Sequence, residues 1–214
     1  KNELSDKNLI YHSTSDTEIL LKSFIYFGIE NTLKKINGMF AIVLLNISEN
    51  KIYFIKDRLG KKPLYWSLLN NVLYFSSQVK SIISFDNFDK SINFETLNNY
   101  FMYAYKNNNN SIFKKINQVK PGHYVTIDSK KNVTDTKYWS LDEHTIKNNF
   151  LKNESEYFEK FDELLIDSTK IRTRSDVPIG AFLSGGLDSA SIAVTLKKKL
   201  NLNPTFYTAS FENS

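Results

Sequence analysis

The chain of 214 residues contains no cysteine at all, which excludes a disulfide framework and any thiol chemistry within these residues. It holds only 7 glycines and 4 prolines, so wherever one stands it carries information about a turn. Long apolar runs are missing too. The longest, Met39 to Leu45, falls far short of the roughly 20 residues that cross a bilayer. The opening residues KNELSDKNLI lack the charged-then-apolar pattern of a signal peptide. No membrane partner is expected, and a cytoplasmic location is the default. The three histidines, His12, His123 and His144, are isolated from one another, without metal-ligand spacing, and read as structural or surface residues.

What is present is an ordinary globular composition, 41% apolar and 24% charged, within the range of soluble domains. Sixteen Phe and twelve Tyr supply core surface. The net charge of +5 invites a nucleic-acid reading. The lysines are scattered, however, with only short runs such as Lys197 to Lys199, which describes a solvated surface.

Apolar spacing divides the chain into two architectures. DTEILLKSFIYFGIENTLKKI, with Ile19, Leu20, Phe24 and Phe27 at helical intervals, reads as two short helices broken near Gly28. Ser15 and Glu18 in front of it fit a capping box. Strand-length runs follow at 39–47, 51–57, 63–68 and 72–76, separated by the turn signals Ser48-Glu49-Asn50, Gly60 and Asn70-Asn71. These predict hairpins and an antiparallel sheet. The Asn107–Asn110 stretch reads as a polar loop, and HYVTID and NVTDTKYW as two more strands. Residues 141–153 are polar and aperiodic, which suits a linker between a first domain (1–140) and a second (154–214). In the second, Phe158, Phe161 and Leu165 mark a helix to about Ser175. DVPIGAFL then reads as a buried strand, residues 188–200 as a helix, and PTFYTASF as another strand. Strand, helix, strand is a βαβ unit and implies a parallel sheet. The expected class is α+β followed by α/β.

The join between that first strand and its helix carries the most information. Ser184-Gly185-Gly186-Leu187-Asp188-Ser189 sits at the carboxyl end of a parallel strand, where such folds bind ligands. Gly185 and Gly186 can take positive φ and let backbone N–H groups form an anion nest at the helix start. The hydroxyls of Ser184 and Ser189 can donate to phosphate oxygens. Asp188 would repel a bare phosphate, which suggests a divalent cation, Mg²⁺, in the site. A plain tight turn with an N-cap is the alternative reading of the same residues. The common mononucleotide loop is not, since it needs Lys-Ser/Thr after its last glycine and Leu187-Asp188 stands there.

The turn resembles the SGGxDS signature of the ATP pyrophosphatases, and SDVPIGAFLSGGLDSASIA (175–193) resembles the glutamine-hydrolysing asparagine synthetase family. HSTSDTEILL, INGMFAIVLLN, IKDRLGKKPLYW and FSSQVKSI resemble consecutive blocks of that family's class II glutamine amidotransferase domain, an N-terminal-nucleophile hydrolase. The resemblance implies a partial hydrolase domain of that antiparallel type, then the start of a Rossmann-like ATP pyrophosphatase domain. It also implies an ATP- and Mg²⁺-dependent carbon–nitrogen ligase, in which ammonia from glutamine amidates aspartate through an acyl-adenylate, giving asparagine, AMP and pyrophosphate.

Residue by residue, the resemblance gives Asp16 the amino group of glutamine, although Asp16 would also serve the helix start. It puts Leu183, Ser184, Gly185, Gly186, Asp188 and Ser189 around ATP, with Ala209 contacting adenosine through backbone atoms. Leu183 and Ala209 would equally serve as plain core residues. The metal ligands stay unassigned. Asp57-Arg58 and Gly60 match a signature of the first domain, with Arg58 expected as an internal ion-pair partner rather than a catalyst. Gln78 stands where the family usually has Glu. The family's catalytic N-terminal cysteine has no counterpart here, so the chain is expected to be an internal fragment, inactive by itself, with no catalytic residue in hand. Expected partners are glutamine, aspartate and ATP, with no nucleic acid; a homodimer is compatible with the sequence. Alternatives left open are a sister amidotransferase acting on another carboxylate such as a uronic acid in surface polysaccharide synthesis, a tRNA-modifying ATP pyrophosphatase, and a degenerate, non-enzymatic relative.

Overall fold

The computed structural model describes residues 10–105, 110–142 and 153–210. The expected polar loop at Asn107–Asn110 and His144 lie wholly or largely outside them. The chain divides into two compact units, Lys1–Thr145 and Ile146–Ser214.

The first unit opens with helix α1 (Asp16–Lys35), interrupted at Gly28, whose φ of 75° and ψ of 176° suit only a residue without a Cβ. The strands are β1 (Ala41–Asn46), β2 (Lys51–Lys56), β3 (Tyr65–Leu69) and β4 (Val72–Ser76). After two helices, α2 (Val79–Ile83) and α3 (Phe94–Tyr103), come β5 (Asn117–Gln118), β6 (His123–Ile127) and β7 (Val133–Lys137). They form two sheets, one of order β1-β2-β6-β7 and one of order β4-β3-β5, every pairing antiparallel.

Strand alternation decides what each face meets. Phe54 of β2, with Val125 and Ile127 of β6, packs on Leu64, Trp66 and Val119 from the second sheet. The Phe54 and Trp66 rings stack with centroids 6.3 Å apart. The opposite parity on the same strands, Tyr53, Ile55 and Tyr124, packs on Phe24 and Leu33 of α1. The outer face of the second sheet meets Ile82 of α2 together with Phe88 and Ile116. The layers therefore run helix, sheet, sheet, helix.

The hairpins β1–β2 and β3–β4 turn at asparagines with positive φ, Asn50 (51°), Asn70 (49°) and Asn71 (67°), a conformation asparagine tolerates well. The single antiparallel sheet expected from the sequence is instead two, because β2 does not pair with its chain neighbour β3. Its second partner is β6, with Phe54 opposite Val125. The crossing between sheets is set by Asp57, 1% exposed. Its carboxylate accepts the backbone N–H groups of Leu59 (3.2 Å), Lys61 (2.9 Å) and Lys62 (3.0 Å). Among the described residues Arg58 does not form the ion pair the sequence suggests. Its guanidinium donates to the carbonyls of Lys34 (3.1 Å) and Ile36 (3.3 Å), groups that a helix C-terminus leaves without internal partners.

In the second unit, α4 (Glu154–Arg172) begins at Asn153, whose side chain accepts the Glu156 N–H at 3.0 Å. Strand β8 (Gly180–Phe182) leads into α5 (Leu187–Val194), which continues as a π-helical turn at Thr195–Lys199, and β9 (Thr205–Tyr207) follows. β8 and β9 pair in parallel, with Ala181 opposite Phe206. This is the βαβ unit expected, a start of an α/β arrangement. Lys199 ties the π turn to α4 through Asp162 at 2.8 Å. The strand expected to be buried is not: Phe182 is 87% exposed. A continuous apolar strand needs cover on both faces, and among the described residues the sheet has only two strands.

Candidate functional site

In the first unit the candidate is Asp16, at the start of α1. Ser15 caps the helix, its hydroxyl accepting the Thr17 N–H at 3.2 Å. The expected capping box does not close, because the Ser15 N–H is taken by the Ser13 hydroxyl at 3.3 Å. Glu18 is thereby released to reach further back. Its carboxylate accepts the N–H groups of His12 (2.9 Å) and Ser13 (2.7 Å) and the Ser13 hydroxyl (2.7 Å), and pairs with Lys22 at 2.6 Å. The Lys22 ammonium also donates to the Ile10 carbonyl and lies over the Tyr11 ring. One carboxylate of this turn is thus consumed in holding the segment before the helix. The other, Asp16, is exposed, and among the described residues its side chain has only a long 3.4 Å bond from the Thr17 hydroxyl. A free carboxylate at a helix start, on a turn whose shape a second carboxylate secures, is available to receive an ammonium group.

That division of labour has a pH consequence. The bond from the Lys22 ammonium, followed by those from His12 and Ser13, lowers the Glu18 carboxyl from 4.5 to about 2. A depressed folded value means the stabilisation is complete above the unfolded value and is lost as pH falls through the folded one. The amide resonances of His12 and Ser13 should therefore titrate with a midpoint near 2 rather than 4.5. A midpoint at the ordinary carboxylate value would show that Glu18 does not hold this segment.

In the second unit the candidate is the turn between β8 and α5. The Leu183 N–H bonds the Tyr207 carbonyl at 2.8 Å, which extends the parallel pairing up to the edge of the turn. Gly185 then takes φ of +84° with open space where a Cβ would be, so backbone conformation, not crowding, demands glycine there. Gly186 differs from the expectation: it is extended, with φ of −80° and ψ of 161°, and stands as the N-cap of α5. Only one of the adjacent glycines uses the freedom that the sequence offers both.

The serines close the turn on itself. Ser189 donates to the Gly186 carbonyl at 3.0 Å and accepts the Ser184 N–H at 3.2 Å, and the two hydroxyls lie 3.1 Å apart. Asp188 projects from the first turn of α5, exposed and without an ion-pair or hydrogen-bond partner among the described residues. Leu183 is half-buried and Ala209 is exposed, beyond the end of β9. No cluster of three or more metal-ligating side chains occurs among the described residues, so a cation at Asp188 would take its remaining ligands from phosphate oxygens and water, as Mg²⁺ does. No described helix is long and apolar enough to cross a membrane.

Sequence reasoning passed over Ser13, whose hydroxyl takes the Ser15 N–H. His123, read as structural, places Nδ1 2.7 Å from Asp135, which also pairs with Lys120 at 2.7 Å, fastening β6 to β7. Gln78 heads α2 without capping it through its side chain.

Comparison with known proteins places similarity along both units. The sequence model of the "Glutamine amidotransferase domain" family matches residues 1–139, and that described as "Asparagine synthase" matches residues 160–214. A protein of Bacillus subtilis (strain 168) named asparagine synthetase [glutamine-hydrolyzing] 1 is 30% identical over 99% of this chain and 32% of its own length. A Methanocaldococcus jannaschii protein whose name describes it as a second such synthetase is 32% identical over 94% of this chain and 39% of its own. The chain thus spans about a third of the length of these curated relatives. A solved glutamine phosphoribosylpyrophosphate amidotransferase from B. subtilis aligns with 97% of this chain and 42% of that chain, at 13% identity and a TM-score of 0.44.

Proposed function

From the premise that the chain belongs to the glutamine amidotransferase domain family, whose model spans residues 1–139, we propose that it forms part of a glutamine-hydrolysing asparagine synthetase. The observation that carries this reading is the succession of two matched families in one chain, the second over residues 160–214, where the glycine turn joins a parallel strand to a helix.

In this reading the Asp16 carboxylate holds the ammonium group of glutamine at the first site. At the second, the N–H groups of the Ser184–Ser189 turn face the pyrophosphate portion of ATP, with the helix start adding attraction for negative charge. Ser184 and Ser189 exchange their mutual contact for phosphate oxygens. Asp188 carries Mg²⁺, which supplies neutralising charge for the departing pyrophosphate. Leu183 and the backbone near Ala209 flank the nucleoside. The aspartate side-chain carboxylate attacks the α-phosphorus, pyrophosphate leaves, and ammonia displaces AMP from the acyl carbon to give asparagine. The protein acts in the cytoplasm.

The test is release of AMP and pyrophosphate by the full-length protein with ATP, Mg²⁺ and ammonium, with and without aspartate. Aspartate-dependent release with asparagine formed is the expected result. Release that ignores aspartate but answers to another carboxylate would overturn the acceptor, and failure to bind ATP would overturn the ligase reading.

A further inference from the structure

We propose that the cleft between the helical break at Gly28 and the outer face of β2, β6 and β7 binds a small, neutral, hydroxyl-rich ring of monosaccharide size. The cleft holds about 530 Å³, within the range of small-molecule pockets. It lies wholly in the first unit and shares no residue with Asp16 or the glycine turn, so it stands independently of the function proposed above.

The floor is aromatic. Tyr53 and Tyr124 lie side by side on neighbouring strands with ring centroids 6.3 Å apart, and Phe27 joins them in lining the cleft. Tyr53 is only 9% exposed, and burial raises its phenol above the usual range. Its hydroxyl nonetheless has no hydrogen-bond partner among the described residues, unlike that of Tyr124, which donates to Glu30 at 3.4 Å. The hydroxyl is not sealed from solvent, as those of Ser67 and Thr169 are; it opens onto the cleft, where a ligand would meet it.

Beside the tyrosines, on the same face of the sheet, runs a row of threonines. Thr126 stands across from Thr134 on the β6–β7 ladder, and Thr136 stands across from Tyr124. This parity faces the helix side of the sheet, where Ile55 and Tyr124 pack on α1. Beyond the break in α1 it carries hydroxyls in place of aliphatic chains. Gly28 is what opens the space, since its non-helical φ and ψ end the first helical segment there.

Charge selects among ligands that would fit. Two lining carboxylates, Glu30 and Asp128, face one lining ammonium, Lys51, which already pairs with Glu49 at 2.7 Å. Phosphate or carboxylate ligands would meet net repulsion. A sugar ring offers an apolar C–H face to the tyrosines and hydroxyls that both donate and accept to the threonines, the phenol and the carboxylates.

The experiment is saturation-transfer NMR on the full-length protein with methyl β-glucoside and N-acetylglucosamine as probes, and inorganic phosphate and asparagine as charged comparators. Transfer to at least one sugar is expected, with neither comparator displacing it. Tyr53→Phe removes only the unmet hydroxyl and should weaken binding about fivefold, the scale of one lost hydrogen bond. Thr126→Val should act similarly, and if it disturbs folding, Tyr53→Phe alone decides. Absence of transfer to both sugars, equal affinity in Tyr53→Phe, or preference for a charged comparator would each overturn the assignment.

Discussion

Replacing Asp188 with alanine in the full-length protein should lower aspartate-dependent release of AMP and pyrophosphate by about a hundredfold or more, the scale on which single stabilising groups at developing charge act. The fold should survive, because the Asp188 side chain is exposed and has no partner to lose among the described residues. Ser189→Ala should be nearly as damaging for a different reason. Its hydroxyl holds the Ser184 N–H and the Gly186 carbonyl, so the variant loses both a donor and the shape of the nest, and KM for ATP should rise with the fall in kcat. Asp188→Asn separates the two roles open to an acid in the first turn of α5. If the carboxylate carries a cation, asparagine should be as inactive as alanine. If it merely suits the helix start, asparagine, which keeps the size and polarity, should work within a few-fold of the native protein. That last result would remove Asp188 from the proposed site.

Local chemistry made this turn readable, and local chemistry is what sequence reports. The strand, the positive φ at Gly185, the helix after it and the return strand are all dictated within about thirty residues, the length of one βαβ unit. The first unit was readable to the same degree only where its contacts are local. Hairpin partners adjoin in sequence, and the asparagine turns announce them. Nothing near Phe54 says that its strand will pair with Val125 rather than with β3, so the split into two sheets stayed hidden. Alternation did disclose the faces: Tyr53 and Phe54 had to point to opposite sides, whichever layers lay there. Short elements escaped altogether, β5 because two residues, Asn117 and Gln118, carry no periodic signal. The capping motif misled for a related reason. Ser15 and Glu18 have the right spacing, but Ser13 competes for the same N–H, and a spacing rule does not weigh competitors. The threonine wall of the cleft was invisible because Thr126, Thr134 and Thr136 read as ordinary strand residues until the break at Gly28 uncovers them.

Phe54→Ala tests the layered arrangement most directly. Phe54 is fully buried between the sheets, against Trp66 and, at a centroid distance of 5.6 Å, Phe75, which are paired neighbours on the second sheet. Truncating a buried phenylalanine costs about 3–5 kcal/mol, the lost transfer energy plus the cavity left behind. Total stability of a domain is only about 5–15 kcal/mol, so thermal unfolding should move sharply to lower temperature or the protein should fail to accumulate. The neighbouring substitution provides the contrast. Tyr53→Phe, one residue away on the opposite face, removes a hydroxyl that has no partner among the described residues, and stability should hold because no intramolecular hydrogen bond is lost. The pair thus reads the two faces of one strand separately. A small loss for Phe54→Ala would mean that the two sheets do not pack through this residue, and a large one for Tyr53→Phe would mean that its hydroxyl is engaged within the protein. The first result would overturn the sheet–sheet interface, and the second the assignment of an open phenol to the cleft.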